Sequence, residues 1–401
     1  MDKVIERIGE ALDIQIEEDV TALIECVKKD TGFSDGKPVA AFTIYKCLLH
    51  WKCLEAERTS VFDQLIHIII SAIEDGDNNN QMAYWLSNAS TLLFLIQESL
   101  KRPPPRSWRN GRIAMGPSSD LAETEDAHEI VQLKYPALLF KKRLIANVEK
   151  MYGVICENMK KELGSLLVSS IQAPPTSEGV LISERSHGKD SQSNHWQGIV
   201  DCLKTLLNTL KENFVPQKIV QKIFARIFSY INVKMFNSLV LRRECCSFRN
   251  GEYVKAGLAE LELWCSHANK EYAGSAWDEL QHVRQCTRFL TLHQKDRIPY
   301  QDITDNLCPI LSLQQLYRIC TLYWDDNGNT PHVSTDVISI IRILMTEESS
   351  NASSNSFLLE DSFSMPFSVD DLSTSLQVKD FENVKPAAQL SKHPAFQFLC
   401  N

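Results

Sequence analysis

The chain has 401 residues, of which 44% are hydrophobic and 23% charged, and its formal net charge is −9. This length exceeds the size at which a single hydrophobic core usually stops growing, which favours two lobes. The negative charge argues against general nucleic-acid binding. The twelve cysteines, with neither a C-x-x-C pair nor a secretory leader, are typical of reduced cytosolic thiols. The longest apolar runs are too short to span a bilayer.

Helical periodicity organises the first part of the chain. Apolar residues recur every three to four positions in five stretches, which predicts amphipathic helices. Pro38 and Pro136 stand at the start of two of them, where the missing N–H of proline costs nothing. Thr59 or Ser60 is placed to cap a third, and residues 101–124, with three consecutive prolines, are predicted to be a loop. The predicted helices cover residues 2–29, 38–51, 60–73, 82–100 and 136–167.

The segment 172–195 is the least structured interior part of the sequence. It is rich in serine, proline and glycine and has little to bury. At about 24 residues it is longer than most connections within a compact domain. We expect a disordered, protease-sensitive surface loop. The predicted domains are a first lobe over 1–195, a second lobe over 196–347, and a linker with a C-terminal tail over 348–401.

A long apolar stripe begins after Pro216 and continues at helical spacing through Val240. It predicts a spine helix of about 25 residues, which would measure roughly 38 Å. The polar side of this helix is basic, because residues 211–250 hold eight Lys and Arg against two Glu. Asn250-Gly251 is interpreted as the turn after which a second helix folds back.

The rest of the second lobe is also predicted to be helical, over residues 276–294, 312–324 and 333–346. Residues 346–357 are a polar linker. The segment 345–385 carries eight acidic residues against two lysines, which complements the basic spine. The sequence therefore predicts an all-α fold of two elongated helical-bundle lobes joined by a spine helix, with an extended C-terminal tail packing back on the lobe surface.

Sequence signatures of catalysis and of metal binding are missing or incomplete. The chain contains no phosphate-binding P-loop, no G-x-G-x-x-G and no G-x-S-x-G motif. His128-Glu129 lacks the second histidine of a zinc motif, and the EF-hand-like start at Asp75 lacks the glycine and glutamate of that loop. Cys245 and Cys246 are interpreted as buried thiols, because adjacent cysteines on a helix diverge by about 100°. We predict no catalytic residues, no cofactor and no metal.

Four stretches of the sequence carry a family resemblance. The main one is NSLVLRRECCSFRNGEYVKAGLAELELW at 237–264, supported by RICTLYWDD at 318–326. IYKCLLHW and AYWLSNASTLLFLI near the N-terminus add to it. Together they resemble the dilute domain, which is the globular tail of class V and class XI myosins, and they fit the plant class XI branch best. The resemblance extends over residues 30–381.

The resemblance implies a non-catalytic cargo-binding tail of an actin-based motor. Its implied partners are adaptor or receptor proteins on vesicles and organelles, Rab-type small GTPases, and the motor head of the same myosin, on which the tail docks for autoinhibition. It implies a cytoplasmic location, peripheral to vesicles and actin tracks, and a monomer as an isolated tail. The sequence leaves open whether a motor precedes this chain, so a stand-alone helical scaffold or vesicle tether is the alternative.

The resemblance also suggests two groups of site residues. Arg243 and Arg318 match positions implicated in docking onto the motor head. A second group, in the helix beginning LQH at 280–282, matches a Rab-binding helix. The alternatives from the residues themselves are a solvated basic face and, for Arg243, a cation at a helix C-terminus. The predicted Rab or cargo contacts are Gln281, Arg284, Gln285, Arg288 and Thr291.

Overall fold

The computed structural model describes residues 17–29, 31–54, 60–74, 76–101, 122–174, 188–326, 332–349, 356–361 and 368–400. Almost all regular structure in these ranges is helical, so the predicted all-α class is confirmed. Residues 2–16 of the helix predicted over 2–29, residues 102–121 of the loop predicted over 101–124, and residues 175–187 of the loop predicted over 172–195 lie outside the described residues.

Thirteen α-helices follow one another through the described ranges. They are α1 (17–27), α2 (Val39–His50), α3 (Ser60–Glu74), α4 (Asn79–Lys101), α5 (Ala122–Ile171), α6 (Gly188–Glu212), α7 (Gln217–Leu241), α8 (Phe248–Ala273), α9 (Gln281–Leu290), α10 (Leu313–Leu322), α11 (Thr335–Ser349), α12 (Val369–Ser373) and α13 (Ala388–Ser391). Short 3-10 turns cover Arg243–Cys245, Ala276–Leu280, Val378–Phe381 and Pro394–Cys400, and a π-helical turn covers Asp302–Leu307.

A small antiparallel hairpin, of strands β1 (Phe33–Ser34) and β2 (Lys37–Pro38), precedes α2. Its two-residue connection is Asp35-Gly36, with φ values of 49° and 74°. Such left-handed pairs match the twist of the strands that they connect. The Asp-Gly signal was present in the sequence, but the strands are only two residues long.

The chain forms two compact units, each of which is discontinuous in sequence. The first unit holds Met1–Ile155, Thr209–Ile219 and Pro366–Asn401, and the second holds Cys156–Asn208 and Val220–Met365. This division differs from the boundary that we placed after residue 195 and from a separate tail starting at 348. The reason is that three of the four changes from one unit to the other fall inside α5, α6 and α7, where composition gives no signal.

In the first unit, α4 is the central helix. Every residue from Met82 to Ile96 is buried. The amide of Asn88 tolerates this position because its Oδ1 accepts from the N–H of Ala41 at 2.9 Å and its Nδ2 donates to the carbonyl of Tyr84 at 3.0 Å. A buried amide is acceptable only when its donors and acceptors are paired in this way. Asn88 therefore connects α4 to α2.

The C-terminal segment belongs to the core of the first unit, and this corrects the expectation of a tail lying on the surface. Phe381 and Phe396 are buried, and the ring centroid of Phe381 lies 6.4 Å from that of Phe94 on α4. The N–H of Ala387 donates to the Thr43 hydroxyl at 3.1 Å. The segment 368–400 has little helical periodicity because four short turns, rather than one long helix, place its apolar side chains.

The spine helix is confirmed as α7, but the turn that we placed at Asn250-Gly251 is wrong. Helix α7 ends at Leu241, and α8 has already begun at Phe248. The N-cap of α8 is Ser247, whose hydroxyl accepts from the N–H of Asn250 at 3.3 Å. Asn250-Gly251 therefore lies in the first helical turn. A Cβ on Gly251 would approach the Leu290 Cβ to 2.7 Å, so close packing against α9 explains the glycine.

Two further helix starts differ from the prediction. Helix α5 begins at Ala122 and contains Pro136 in its interior, where we had expected the first turn. Helix α6 begins at Gly188, so residues 188–195 of the expected loop are helical. Both segments are polar and lack an apolar stripe, which is why periodicity did not predict them.

A matched pair of glycines tests the packing of α8. The Trp196 indole lies against Gly257, where an added Cβ would come within 1.9 Å of the Trp196 Cε2 atom. Gly153, in α5, has no atom within 4 Å of such a Cβ. We expect Gly257→Ala to destabilise the chain by about 1–3 kcal/mol through overpacking. We expect Gly153→Ala to stabilise it by about 0.5–1 kcal/mol.

Urea denaturation of both variants, followed by circular dichroism, measures these changes. Because both substitutions add one methyl group inside a helix, their difference isolates the clash with Trp196. Equal free energies of unfolding for the two variants would contradict this packing.

Candidate interaction surfaces

Arg318 is held at the C-terminal end of α7. Its Nε donates to the carbonyl of Val240 at 2.9 Å, and its guanidinium lies 5.1 Å from the ring centroid of Phe357. The last carbonyls of a helix have no intrahelical partner and carry partial negative charge, so a cation there stabilises the helix end. Arg318 is half-buried, and its contacts with Val240 and Phe357 support the fold.

Arg243 lies in the 3-10 turn that follows α7, and its side chain is exposed. Its carbonyl accepts from the Trp324 Nε1 at 2.8 Å, and the N–H of Trp324 donates to the carbonyl of Cys246 at 3.2 Å. These contacts fix the turn beside α10. The fold thus places Arg243 and Arg318 at the same end of α7, although 75 positions separate them in the sequence. Docking on a motor head remains a prediction for both.

The predicted face on α9 consists partly of residues that also support the fold. The Arg284 guanidinium lies 4.4 Å from the Trp277 ring centroid. The Gln285 Oε1 accepts from the N–H of Ile310 at 2.9 Å. Arg288 is exposed. The remaining predicted contacts are half-buried, namely Gln281 and Thr291.

A six-residue strap, residues 356–361, lies on the second unit without regular structure. Both backbone groups of Leu359 are bonded to the Asn237 side chain: its N–H donates to Oδ1 and its carbonyl accepts from Nδ2, each at 2.9 Å. Asp361 forms ion pairs with the Lys160 Nζ at 2.9 Å and the Arg226 Nη1 at 2.8 Å. The predicted attraction between the acidic C-terminal region and the basic spine is realised in the contact with Arg226.

Electrostatics hold Asp361 in its charged form. Burial raises its pKa, but the hydrogen bond from Lys160 and the charge of Arg226 outweigh burial, so the pKa lies below its ordinary value. Burial lowers the pKa of Lys160, and hydrogen bonds to Asp361 and Glu157 reverse this effect, giving a net increase. The cluster therefore stays ionised at neutral pH.

Lys295 is a fully buried lysine that sequence analysis missed. Its Nζ donates to the carbonyl of Leu290 at 2.8 Å and to that of Leu292, so it caps the end of α9. The same nitrogen lies 4.2 Å from the Tyr323 ring centroid and 5.4 Å from that of Phe248. Cation–π contacts of this kind stabilise a charge removed from water. In the sequence, Lys295 stands in the polar run HQKDR, which looks exposed.

Burial nevertheless dominates the ionisation of Lys295. It lowers the pKa of the lysine to about 8, against the opposing effect of the nearby Asp325 and Asp326 carboxylates. A lysine that loses its charge so readily is a candidate for proton chemistry. Here, however, its contacts are those of a helix cap.

All twelve cysteines are free thiols, and Cys245 and Cys246 are both buried, as predicted. Burial raises the pKa of Cys246 to about 12, which keeps it protonated and unreactive at neutral pH. No three metal-ligating side chains come together within the described ranges. None of the helices described here combines the length and apolar content that crossing a membrane requires.

The sequence comparisons add two findings. Residues 222–327, from α7 to the end of α10, match the DIL domain. Myosin-6 of Arabidopsis thaliana is 57% identical over 401 aligned residues, which cover 95% of this chain. The chain spans 27% of the length of that relative.

Solved structures show the same fold at low sequence identity. The myosin V cargo binding domain superposes with a TM-score of 0.62 at 17% identity, covering 96% of this chain and 97% of the other. The Myo2-GTD solved in complex with Mmr1 also gives a TM-score of 0.62, at 18% identity and 94% coverage of both chains. These matches cover both compact units.

The helical fold and the matched region define a DIL-domain protein. Within that class, the chain belongs to the family of myosin globular tails, in the plant class XI branch, which is related to the tails of class V myosins.

The ionisation of Lys295 can be tested by the pH dependence of stability. Between about pH 8 and the ordinary lysine pKa near 10.5, the folded chain releases the Lys295 proton before the unfolded chain does. The unfolded state then binds more protons, so stability rises with pH by at most about 1.4 kcal/mol per pH unit from this group. Below about pH 8 the cost of burying the charge is fully present and constant.

We expect the free energy of unfolding of the wild type, minus that of Lys295→Met, to increase from pH 8 to pH 10. Subtraction cancels the buried thiols, which titrate in both proteins. Urea denaturation at each pH gives the two values. A difference that stays flat or falls over this range would show that Lys295 keeps an ordinary pKa.

Proposed function

We propose that this chain is the non-catalytic, cargo-binding globular tail of an actin-based motor. The observation that carries the proposal is 57% identity to Myosin-6 across 95% of the chain, together with the fold of the myosin V cargo binding domain. Related tails were solved in complex with Smy1, Mmr1 and Inp2. By analogy, the partners of this chain are adaptor or receptor proteins on vesicles and organelles.

Two finer roles belong to the same proposal. Exposed Arg288, with Gln281, Arg284 and Gln285 on the same helix and Thr291 at its C-cap, is the candidate contact for a Rab-type GTPase. Arg243 and Arg318 are the candidate contacts for the motor head in an autoinhibited state. The support for the second role is that the fold brings both arginines to one helix end, where exposed positive charge can meet an acidic surface.

A location in the cytoplasm, at the surface of vesicles near actin tracks, follows from this role. The alternative is a stand-alone helical scaffold or tether. IQ repeats and a coiled coil encoded upstream in the same transcript would identify a motor tail.

Overproduction of the chain in plant cells tests cargo binding. A tail without its motor occupies cargo sites unproductively, so we expect the fluorescently tagged chain to decorate moving organelles and to slow them. The matched control is the Gly257→Ala chain, produced at the same expression level, whose fold we expect to be destabilised. A diffuse wild-type chain that leaves organelle velocity unchanged argues for the alternative.

The head-docking role predicts an effect of charge reversal. We expect Arg243→Glu together with Arg318→Glu to abolish inhibition of the tail-less motor by added chain, measured as actin-activated ATPase at low salt. Arg243→Glu alone should weaken inhibition without changing the melting temperature, because this side chain is exposed. Arg318→Glu alone should also lower stability by about 1 kcal/mol, since it loses its bond to Val240.

Lys255→Glu is the control for these charge changes, because it reverses an exposed charge on a different element, α8. Full inhibition by the double variant, or equal loss with Lys255→Glu, would contradict a specific docking role.

The absence of a P-loop predicts no ATP hydrolysis by the chain itself. We expect phosphate release at the level of buffer alone, with or without actin. Turnover that copurifies with the protein through further chromatography would overturn the non-catalytic role.

A further inference from the structure

The strap is attached to the second unit at three alternate positions. Phe357 lies over the Arg318 guanidinium, Leu359 is bonded through both backbone groups, and Asp361 reaches two cations. The Asn237 amide pairs with Leu359 as a neighbouring β-strand would. The binding mode thus uses backbone hydrogen bonds for a central residue and side-chain contacts two positions before and after it, as in peptide recognition by extended segments.

The groups that contact the strap come from three helices of the fold. We call them the strap groove: Lys160 on α5, Arg226 and Asn237 on α7, and Arg318 on α10. None of these helices depends on the strap for its own hydrogen bonds. The groove is therefore a preformed surface, which lowers the entropic cost of binding a flexible segment.

The groove favours an anion at the position of Asp361. With the strap in place, the side chains of Lys160 and Arg226 are only 10% and 11% exposed, and both approach the Asp361 carboxylate. Contacts between ionised groups of this kind are stronger than contacts with a neutral group, so a carboxylate is preferred there. Glu157 also pairs with Lys160 at 2.9 Å, and Lys234 faces the same Tyr230 ring as Lys160 does, so positive charge still exceeds negative charge here without Asp361.

The strap itself contributes nothing to the core. None of residues 356–361 is buried, whereas the segment 368–400 inserts Phe381 and Phe396 into the first unit. The contacts of the strap are few and partly exposed, which makes it an exchangeable occupant of the groove.

We propose that the strap groove is a binding site for an acidic, extended peptide of a partner protein, and that residues 356–361 occupy it in cis. The peptide would carry an aromatic residue four positions before an aspartate or glutamate, as Phe357 and Asp361 do. The strap, being covalently attached, is present at high effective concentration and regulates access. This proposal specifies the kind of partner for the proposed cargo-binding role. It depends on that role only for the assumption that the peptide belongs to a cargo protein.

Weakening the strap should therefore open the groove to a peptide in trans. The probe is a fluorescein-labelled synthetic peptide, SNSFLLEDSF, which copies residues 354–363. We expect it to bind the Phe357→Ala/Asp361→Asn chain at least about tenfold more tightly than the wild type, because the apparent affinity scales with the fraction of open groove. Fluorescence anisotropy measures both dissociation constants.

Two controls separate this effect from loss of charge alone. Glu360→Gln removes one neighbouring, exposed carboxylate from the strap and should bind the peptide as weakly as the wild type. A peptide with asparagine in place of the aspartate should bind the opened chain at least about tenfold more weakly than the parent peptide, because it lacks the carboxylate that pairs with Lys160 and Arg226. A peptide with phosphoserine at that position tests whether the site prefers phosphate.

Equal binding of the parent peptide to the wild type and to the opened chain would overturn the proposal. So would equal affinity of the opened chain for the parent and the asparagine peptides, or binding of the phosphoserine peptide alone. Should the double variant fail to fold, hydrogen exchange at the Leu359 amide of the wild type decides. Exchange faster than in the core of α7 supports an exchangeable strap, and equally slow exchange contradicts it. Peptide binding uses no organelle or motor, so its failure leaves the cargo-binding role to be judged by organelle velocity.

Discussion

The second unit depends on one buried side chain, the amide of Asn250. Its Nδ2 donates to the carbonyls of Ile171 at 3.0 Å and Cys245 at 2.8 Å, and its Oδ1 accepts from the N–H of Ala173 at 2.7 Å. These partners lie at the end of α5 and in the turn after α7, while Asn250 itself begins α8. Helix ends leave backbone groups unpaired, and burying them unpaired is costly. One amide therefore allows three segments to meet inside the protein.

Other asparagine side chains also bond to backbone groups where helix ends or loops of this fold meet. Asn88 bonds to the backbone in the first unit, Asn232 accepts from the N–H of Val283 at the start of α9, and Asn237 holds the strap. Helices satisfy backbone groups only within themselves, so side-chain amides supply partners for the irregular backbone between them. The strap and the two arginines at the end of α7 thus lie beside a helix that carries two of these asparagines together with Arg226 and Lys234.

The sequence predicted the helices that are determined by interactions between residues close together in the chain. The stripe of α7, the apolar α4 and the positions of α3 and α10 follow from periodicity, and the family resemblance followed from the residues around Asn250. The roles of Arg318 and Lys295 could not be predicted, because each caps a helix end through a contact that only the tertiary fold creates. The turn predicted at Asn250-Gly251 was wrong for the same reason. The Asn250 amide is buried in tertiary hydrogen bonds and Gly251 packs closely against α9, and neither contact is visible in the sequence.

The composition of the first unit has a consequence for biosynthesis. Its core includes both α2 and the segment 368–400, and the bond between Thr43 and Ala387 joins positions 344 residues apart. Closing so long a loop is entropically expensive and slow. A ribosome must release nearly the whole chain before this unit can be completed, whereas every segment of the second unit has by then emerged. Nascent chains halted before residue 368 would therefore hold α4 with part of its apolar surface uncovered, which makes them substrates for chaperones.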